Sequence, residues 1–168
     1  MTEPCDAKSG QSLSLEALAK ELASFAIDRT DLKELLAALP EDSQAAHTAV
    51  EYELALLKIL TVGWAISFYM APEDPNKAPL AEQYWQNIQE VADQITALTN
   101  TTSGTQIDYF NIIRERLDTY VKVLSNQGEG VDNPAAIMGP AFAVACNCPS
   151  DAAAVLTGTK MFALTLGA

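Results

Sequence analysis

The chain has a single histidine, and that scarcity excludes more chemistry than any other feature of its 168 residues. A ferritin-like di-iron centre needs two Glu-x-x-His motifs on bundle helices. Here His47 stands alone, and Gln44 occupies the place of the motif's glutamate. The histidine-rich metal and haem sites of helical bundles are excluded with it. A Ser-His-Asp or Cys-His arrangement would have to recruit the same imidazole, and no Gly-x-Ser-x-Gly elbow is present. The eight glycines are dispersed, and Gly128-Glu129-Gly130 is not followed by lysine, so no phosphate-cradling loop is recognisable. With Asp132 and Asn133 that stretch is acidic, but it lacks the regular acidic alternation of an EF-hand.

Positive charge is equally sparse. Ten lysines and arginines face 22 aspartates and glutamates, a formal charge of −12. Arg114 and Arg116, the closest cationic pair, are interleaved with Glu115 and followed by Asp118. Binding a phosphate backbone needs clustered cations that release counterions, so nucleic acid is not an expected partner. An anionic membrane surface is disfavoured for the same reason. The acidity favours solubility and steers cationic partners without specifying one.

Cysteine is limited to Cys5, Cys146 and Cys148, an odd number that fits reduced thiols better than a disulfide framework. The N-terminal Met-Thr-Glu-Pro-Cys-Asp carries acids where a secretory signal carries lysine or arginine, so the expected compartment is the cytoplasm. Cys146-Asn147-Cys148 has the spacing of a soft-metal or disulfide pair. On a helix, however, residues i and i+2 project about 200° apart, so the two sulfurs meet only where the chain has already unwound. No metal site and no cofactor is expected.

Long apolar runs are missing too. Residues 54–71 come nearest, but Lys58 leaves only 59–71 uninterrupted, short of the ~20 residues that span a bilayer. The stretch reads as a helix buried on most sides in a protein core.

What the chain does have is apolar content of 49% and helical periodicity. A chain of this size removes roughly 70% of its unfolded surface from water and needs no staple. A polar tail over residues 1–11 is expected to be flexible, with one helical domain over 12–168. Leu15, Leu18, Leu22 and Phe25 give a first helix its buried face. Asp31 and Glu34 have capping-box spacing ahead of a short second helix that Pro40 ends. A long central helix is predicted over 43–71, with Val50, Leu54, Leu57, Thr61, Trp64 and Phe68 as its seam. Gly63 inside it implies a close helix contact. Tyr84, Ile88, Val91, Ile95 and Leu98 repeat the seam on a third main helix, and Phe110, Ile113, Leu117, Tyr120 and Leu124 on a fourth. Short connections make sequential helices antiparallel neighbours. The alanine-rich stretch 134–168 predicts further helices, with Asn133-Pro134 and Pro149-Ser150-Asp151 as starts and Gly139-Pro140 as a break or kink. The expected fold is an all-α antiparallel bundle with a long central helix and alanine-rich C-terminal helices.

Two sets of side chains stand out as candidate ligand-binding residues. At 100° per residue His47, Glu51, Lys58 and Tyr69 fall within about 40° of one another on the central helix. An imidazole one turn from a carboxylate can share a proton, and a lysine two turns on can take an anionic group. Trp64, Phe68, Tyr69 and Lys58 would line an interhelical pocket. A solvated helix edge explains the first set as well, and core packing the second. The expected function is therefore non-enzymatic association, as a homodimer or other homo-oligomer presenting a groove to a protein or peptide partner. A small-molecule binder or enzyme with an interhelical pocket is the alternative.

Overall fold

The computed structural model describes residues 14–126 and 133–167. Among them the regular structure is entirely helical: α1 Leu15–Ile27, α2 Thr30–Ala37, α3 His47–Tyr69, α4 Lys77–Ser103, α5 Tyr109–Ser125, α6 Pro134–Ala145 and α7 Ala152–Gly167. The expected tail over 1–11 and the Gly128-Glu129-Gly130 stretch lie outside the described residues.

The helix starts follow cap chemistry. Ser14, Asp108, Asn133 and Asp151 each place a side-chain oxygen on a backbone N–H of the turn that follows, at 3.1, 2.9, 3.2 and 2.8 Å. Gly104, at φ 68°, ends α4 in the left-handed conformation that glycine adopts without strain. The capping box expected at Asp31 does not form. Arg29 is the N-cap of α2, and Asp31 lies in its first turn with its carboxylate committed to Lys58.

Helix α3 packs against each of the other six helices, which explains why it is apolar on nearly every side. Val50, Leu54, Leu57 and Thr61 of its seam are fully buried. The helix begins at His47, four residues later than expected. Residues 43–45 are instead held as a turn by Asp151, which accepts the Gln44 and Ala45 N–H groups at 2.8 and 3.3 Å. Gly63 does mark a close contact: the Trp85 ring occupies the space that a Cβ would need.

Three seams differ from their prediction. On α1 the leucines are half-buried, while Ala19, Ala23 and Ala26 face the contact with α3 and α4, because small side chains let the helices approach closely. On α4, Tyr84 and Ile88 are buried, yet Ile95 and Leu98 are exposed. At 1.5 Å per residue this 27-residue helix is about twice as long as the 13-residue α1 it packs on, so its far end outruns the core. On α3, Phe68 emerges into solvent.

Helices α6 and α7 make the most extensive helix pair. Pro140 does not end α6: Pro140 and Ala136, whose carbonyl loses its usual donor there, are both on the exposed side, where water can satisfy that carbonyl. Gly139 and Gly158 mark the crossing. A Cβ on Gly139 would lie 2.6 Å from the Val155 carbonyl oxygen, and one on Gly158 would lie 2.6 Å from Cβ of Phe142.

Candidate functional site

The six residues singled out from the sequence do not share one cavity. His47 is exposed in the first turn of α3. Glu51, one turn on, is ion-paired with Arg29 from the α1–α2 junction. Lys58 is fully buried and already neutralised: its ammonium donates to Asp31 Oδ2 and to the Asp28 carbonyl, both at 3.0 Å, and sits 4.3 Å from the Phe25 ring centroid. It therefore braces α3 against the α1–α2 junction and is not free to take an incoming anion. Trp64, Phe68 and Tyr69 form an aromatic run, stacked at 4.8 Å and then edge-on at 5.4 Å, with Trp64 also 5.6 Å from Phe162. Behind Trp64 only a void of about 20 Å³ is left. Tyr69 lines a separate open groove beside α1, with Leu22, Phe25 and Met70.

A half-open cavity lies on another face of α3. It measures about 300 Å³ and is walled by Ala55 and Ile59 of α3, Ile88 and Ala92 of α4, and Ile113 of α5. Both long helices contribute the same spacing, Tyr52, Ala55, Leu56 and Ile59 opposite Ile88, Val91, Ala92 and Ile95. These are i, i+3, i+4, i+7 stripes. Alanines on both helices help to leave the space, since the side chains of Ala55 and Ala92 stop at Cβ. The rim is polar, formed by Asp28, the Arg29–Glu51 pair, Tyr52 and Tyr109. Burial, and then the neighbouring Glu53, raises the Tyr52 phenol above its ordinary pKa, so it stays a neutral hydrogen-bonding group at neutral pH. Glu51 is the one member of the sequence-derived set that lines this cavity. The others were missed because Ala92 falls between the large residues of the α4 seam. A second stripe on α3, offset from the main seam, was the signal available.

A second polar cluster lies deep between α3, α5 and the end of α6. Arg116 donates to Glu53 Oε1 at 2.5 Å, while Glu53 Oε2, Arg116 Nε and the Tyr120 hydroxyl have no hydrogen-bond partner among the described residues. Burial raises the Glu53 carboxyl above its ordinary pKa, against the opposing pull of Arg116. Cys146 closes the cluster, its thiol pushed up to about 12 by burial, by Cys148 and by Glu53. Only the thiolate is nucleophilic, so this sulfur is inert at neutral pH. Cys146 and Cys148 are both buried and free. They straddle Asn147, whose φ of 61° ends α6, with Asn147 N–H donating to Val144 O and Cys148 N–H to Ala143 O. The chain has unwound there, as pairing would require, yet both thiols serve the helix end and the core. Cys5 lies outside the described residues.

Among the described residues no group of three His, Cys, Asp or Glu side chains could hold a metal ion, and no helix is long and apolar enough to cross a membrane. No family model matches the chain, and comparison with curated proteins and with solved structures finds no match either.

Proposed function

We propose that this chain is a small-molecule-binding protein that takes an apolar ligand into the cavity between α3, α4 and α5. The carrying observation is the cavity itself: about 300 Å³, walled by aliphatic side chains and rimmed by a few polar groups. That is the lower end of the range for small-ligand pockets and their usual chemistry. In this reading the helices form an antiparallel bundle, supported by their short connections, and α3 is the shared wall between core and pocket. A cytoplasmic setting suits it, since Cys146 and Cys148 are free thiols.

The test is titration with a neutral fluorescent probe, N-phenyl-1-naphthylamine, on the wild type and on Ala92→Leu, which fills the cavity from α4. The expected result is saturable enhancement in the wild type, weakened at least about tenfold in the variant, with both proteins giving the same helical circular dichroism. An unsaturable response, or one the variant leaves unchanged, removes the cavity as the site.

Self-association is the second reading, and a separate observation favours it. Val144, Leu156 and Leu164 on the α6–α7 pair, and Phe68 and Tyr69 at the end of α3, are each more than half exposed. Apolar surface of this kind marks interfaces when it is contiguous. Light scattering at micromolar concentration tests it: a homodimer mass that falls to the monomer in Leu156→Lys/Leu164→Lys supports a homodimer built on α7, and a clean wild-type monomer excludes it.

A further inference from the structure

We propose that the ligand of the α3–α4–α5 cavity is an organic cation, an aryl- or alkylammonium whose apolar part fills the cavity while its charged nitrogen meets the rim at Glu51 and Asp28. The inference rests on the cavity being the binding site and adds the chemistry of its occupant.

Every charged side chain at the cavity comes from one edge. Asp28 and Arg29 belong to the α1–α2 junction and Glu51 to the first turns of α3, whereas the α4 and α5 walls are aliphatic or aromatic. Two carboxylates thus stand against one guanidinium. Lys58, which donates to the Asp28 carbonyl, is neutralised by Asp31 at 3.0 Å, and Glu53, beside Tyr52, is paired with Arg116. An incoming ammonium would bring this rim to neutrality. An incoming carboxylate would leave three negative groups around Arg29.

The exchange at the rim is easy. Arg29 and Glu51 are 54% and 42% exposed, and ion pairs that exposed contribute little because water screens both partners. Glu51 can therefore turn to a ligand while Arg29 takes up water. The Asp28 carboxylate is already anchored, since Thr30 donates to its Oδ1 at 3.1 Å. Tyr52 and Tyr109 add aromatic rings at the same rim, and a cation is attracted to the face of such rings. The overall charge of −12 acts in the same direction at longer range.

The magnitude follows from the exposure. Attraction between a surface carboxylate and one ligand charge is worth up to about fivefold in affinity, and repulsion of the opposite ligand charge the same. The two factors multiply, so the preference for cation over anion is on the order of tenfold and at most about 25-fold.

The experiment uses three probes with one aromatic tail: 2-phenylethylamine, 2-phenylethanol and 3-phenylpropionate. Each is titrated calorimetrically into the full chain at pH 7 and 0.15 M salt, and again into Glu51→Gln and Ala92→Leu. The expected order is ammonium, then alcohol, then carboxylate, with on the order of tenfold between the extremes. Glu51→Gln should narrow that gap, and Ala92→Leu should weaken all three. Equal affinities, or a carboxylate that binds tightest, overturn the cation proposal and leave the cavity reading standing. An ammonium preference unchanged in Glu51→Gln, or ammonium binding that Ala92→Leu does not weaken, also overturns it, since attraction to an acidic surface would then be the cause. If none of the three binds, the cavity reading fails and this proposal with it.

Discussion

The Lys58 ammonium and the Asp31 carboxylate, 27 positions apart in sequence, meet at 3.0 Å where α3 passes under the α1–α2 junction. The two partners are not equivalent, because Lys58 is fully buried whereas the Asp31 side chain is 36% exposed.

That asymmetry predicts which half of the pair matters more. Asp31→Ala strands a buried ammonium with only a carbonyl and the Phe25 ring for company. It should cost about 2 kcal/mol, less than the 3–5 that breaking a wholly buried pair costs, because Asp31 is partly hydrated. Lys58→Met keeps the apolar stem and lets Asp31 return to water, and should cost less. Urea unfolding at pH 7 measures both. The reverse order would mean that the stem's packing, and not the charge pair, sets the requirement at this position.

Asp151 ties the two ends of the fold together. Its Oδ1 accepts the Ala153 N–H at the start of α7, and its Oδ2 accepts the Ser43 hydroxyl at 2.6 Å and the Gln44 N–H at 2.8 Å. These bonds, the Ser43 one foremost, lower its pKa to about 2. A carboxyl whose folded pKa lies below its unfolded value of about 3.9 adds stability that is complete above the higher value. It is lost as pH falls toward the lower one. Wild-type stability should therefore drop between about pH 4 and pH 2 by more than that of Asp151→Asn, which has already lost this contribution. Thermal melts across that interval decide it. Parallel pH profiles would show that Asp151 contributes nothing through its charge.

These cases show how far the sequence could be read. Helix existence was legible, because a cap such as Asn133 acts over a few residues and apolar spacing reports one face of one helix. The close contact at Gly63 was legible too, since a mid-helix glycine needs a reason. What was not legible depends on partners far along the chain. Nothing near residue 43 signals that Asp151 will delay the start of α3, and nothing near Lys58 says that its ammonium will be taken by Asp31. The cavity was hidden for a related reason. A stripe shows where large side chains go, whereas this void is lined by small residues of two helices, Ala55 and Ala92, and their coming together is a property of the pairing.

Glu53 and Arg116 predict an unequal response of a second kind. The Glu53 side chain is 5% exposed and that of Arg116 27%. Arg116→Met leaves a buried carboxylate without its cation and should cost on the order of 3 kcal/mol at pH 7. Replacing both, as Glu53→Leu/Arg116→Met, should recover most of that loss, because no charge is then left to solvate. Burial already raises the Glu53 pKa, and loss of the guanidinium raises it further. The folded state then holds its proton more tightly than the unfolded chain, so the Arg116→Met deficit should shrink as pH falls from 8 to 5. A deficit independent of pH, together with an unrescued double variant, would place the effect in arginine packing.

The crossing of α6 and α7 gives the sharpest contrast. Alanine favours a helix over glycine by about 1 kcal/mol, so Gly→Ala within α7 would ordinarily stabilise. At Gly158 the new Cβ would sit 2.6 Å from Cβ and Cγ of Phe142, atoms close to the backbone of a fully buried side chain that cannot swing aside. The two helices would have to separate, which overpacking data put at about 1–3 kcal/mol. At Gly167, in the same helix, a Cβ meets nothing within 4 Å. Gly158→Ala is therefore expected to lower the midpoint of thermal unfolding while Gly167→Ala leaves it unchanged or raises it. Should both variants melt at or above the wild-type temperature, the α6–α7 interface is looser than this crossing requires.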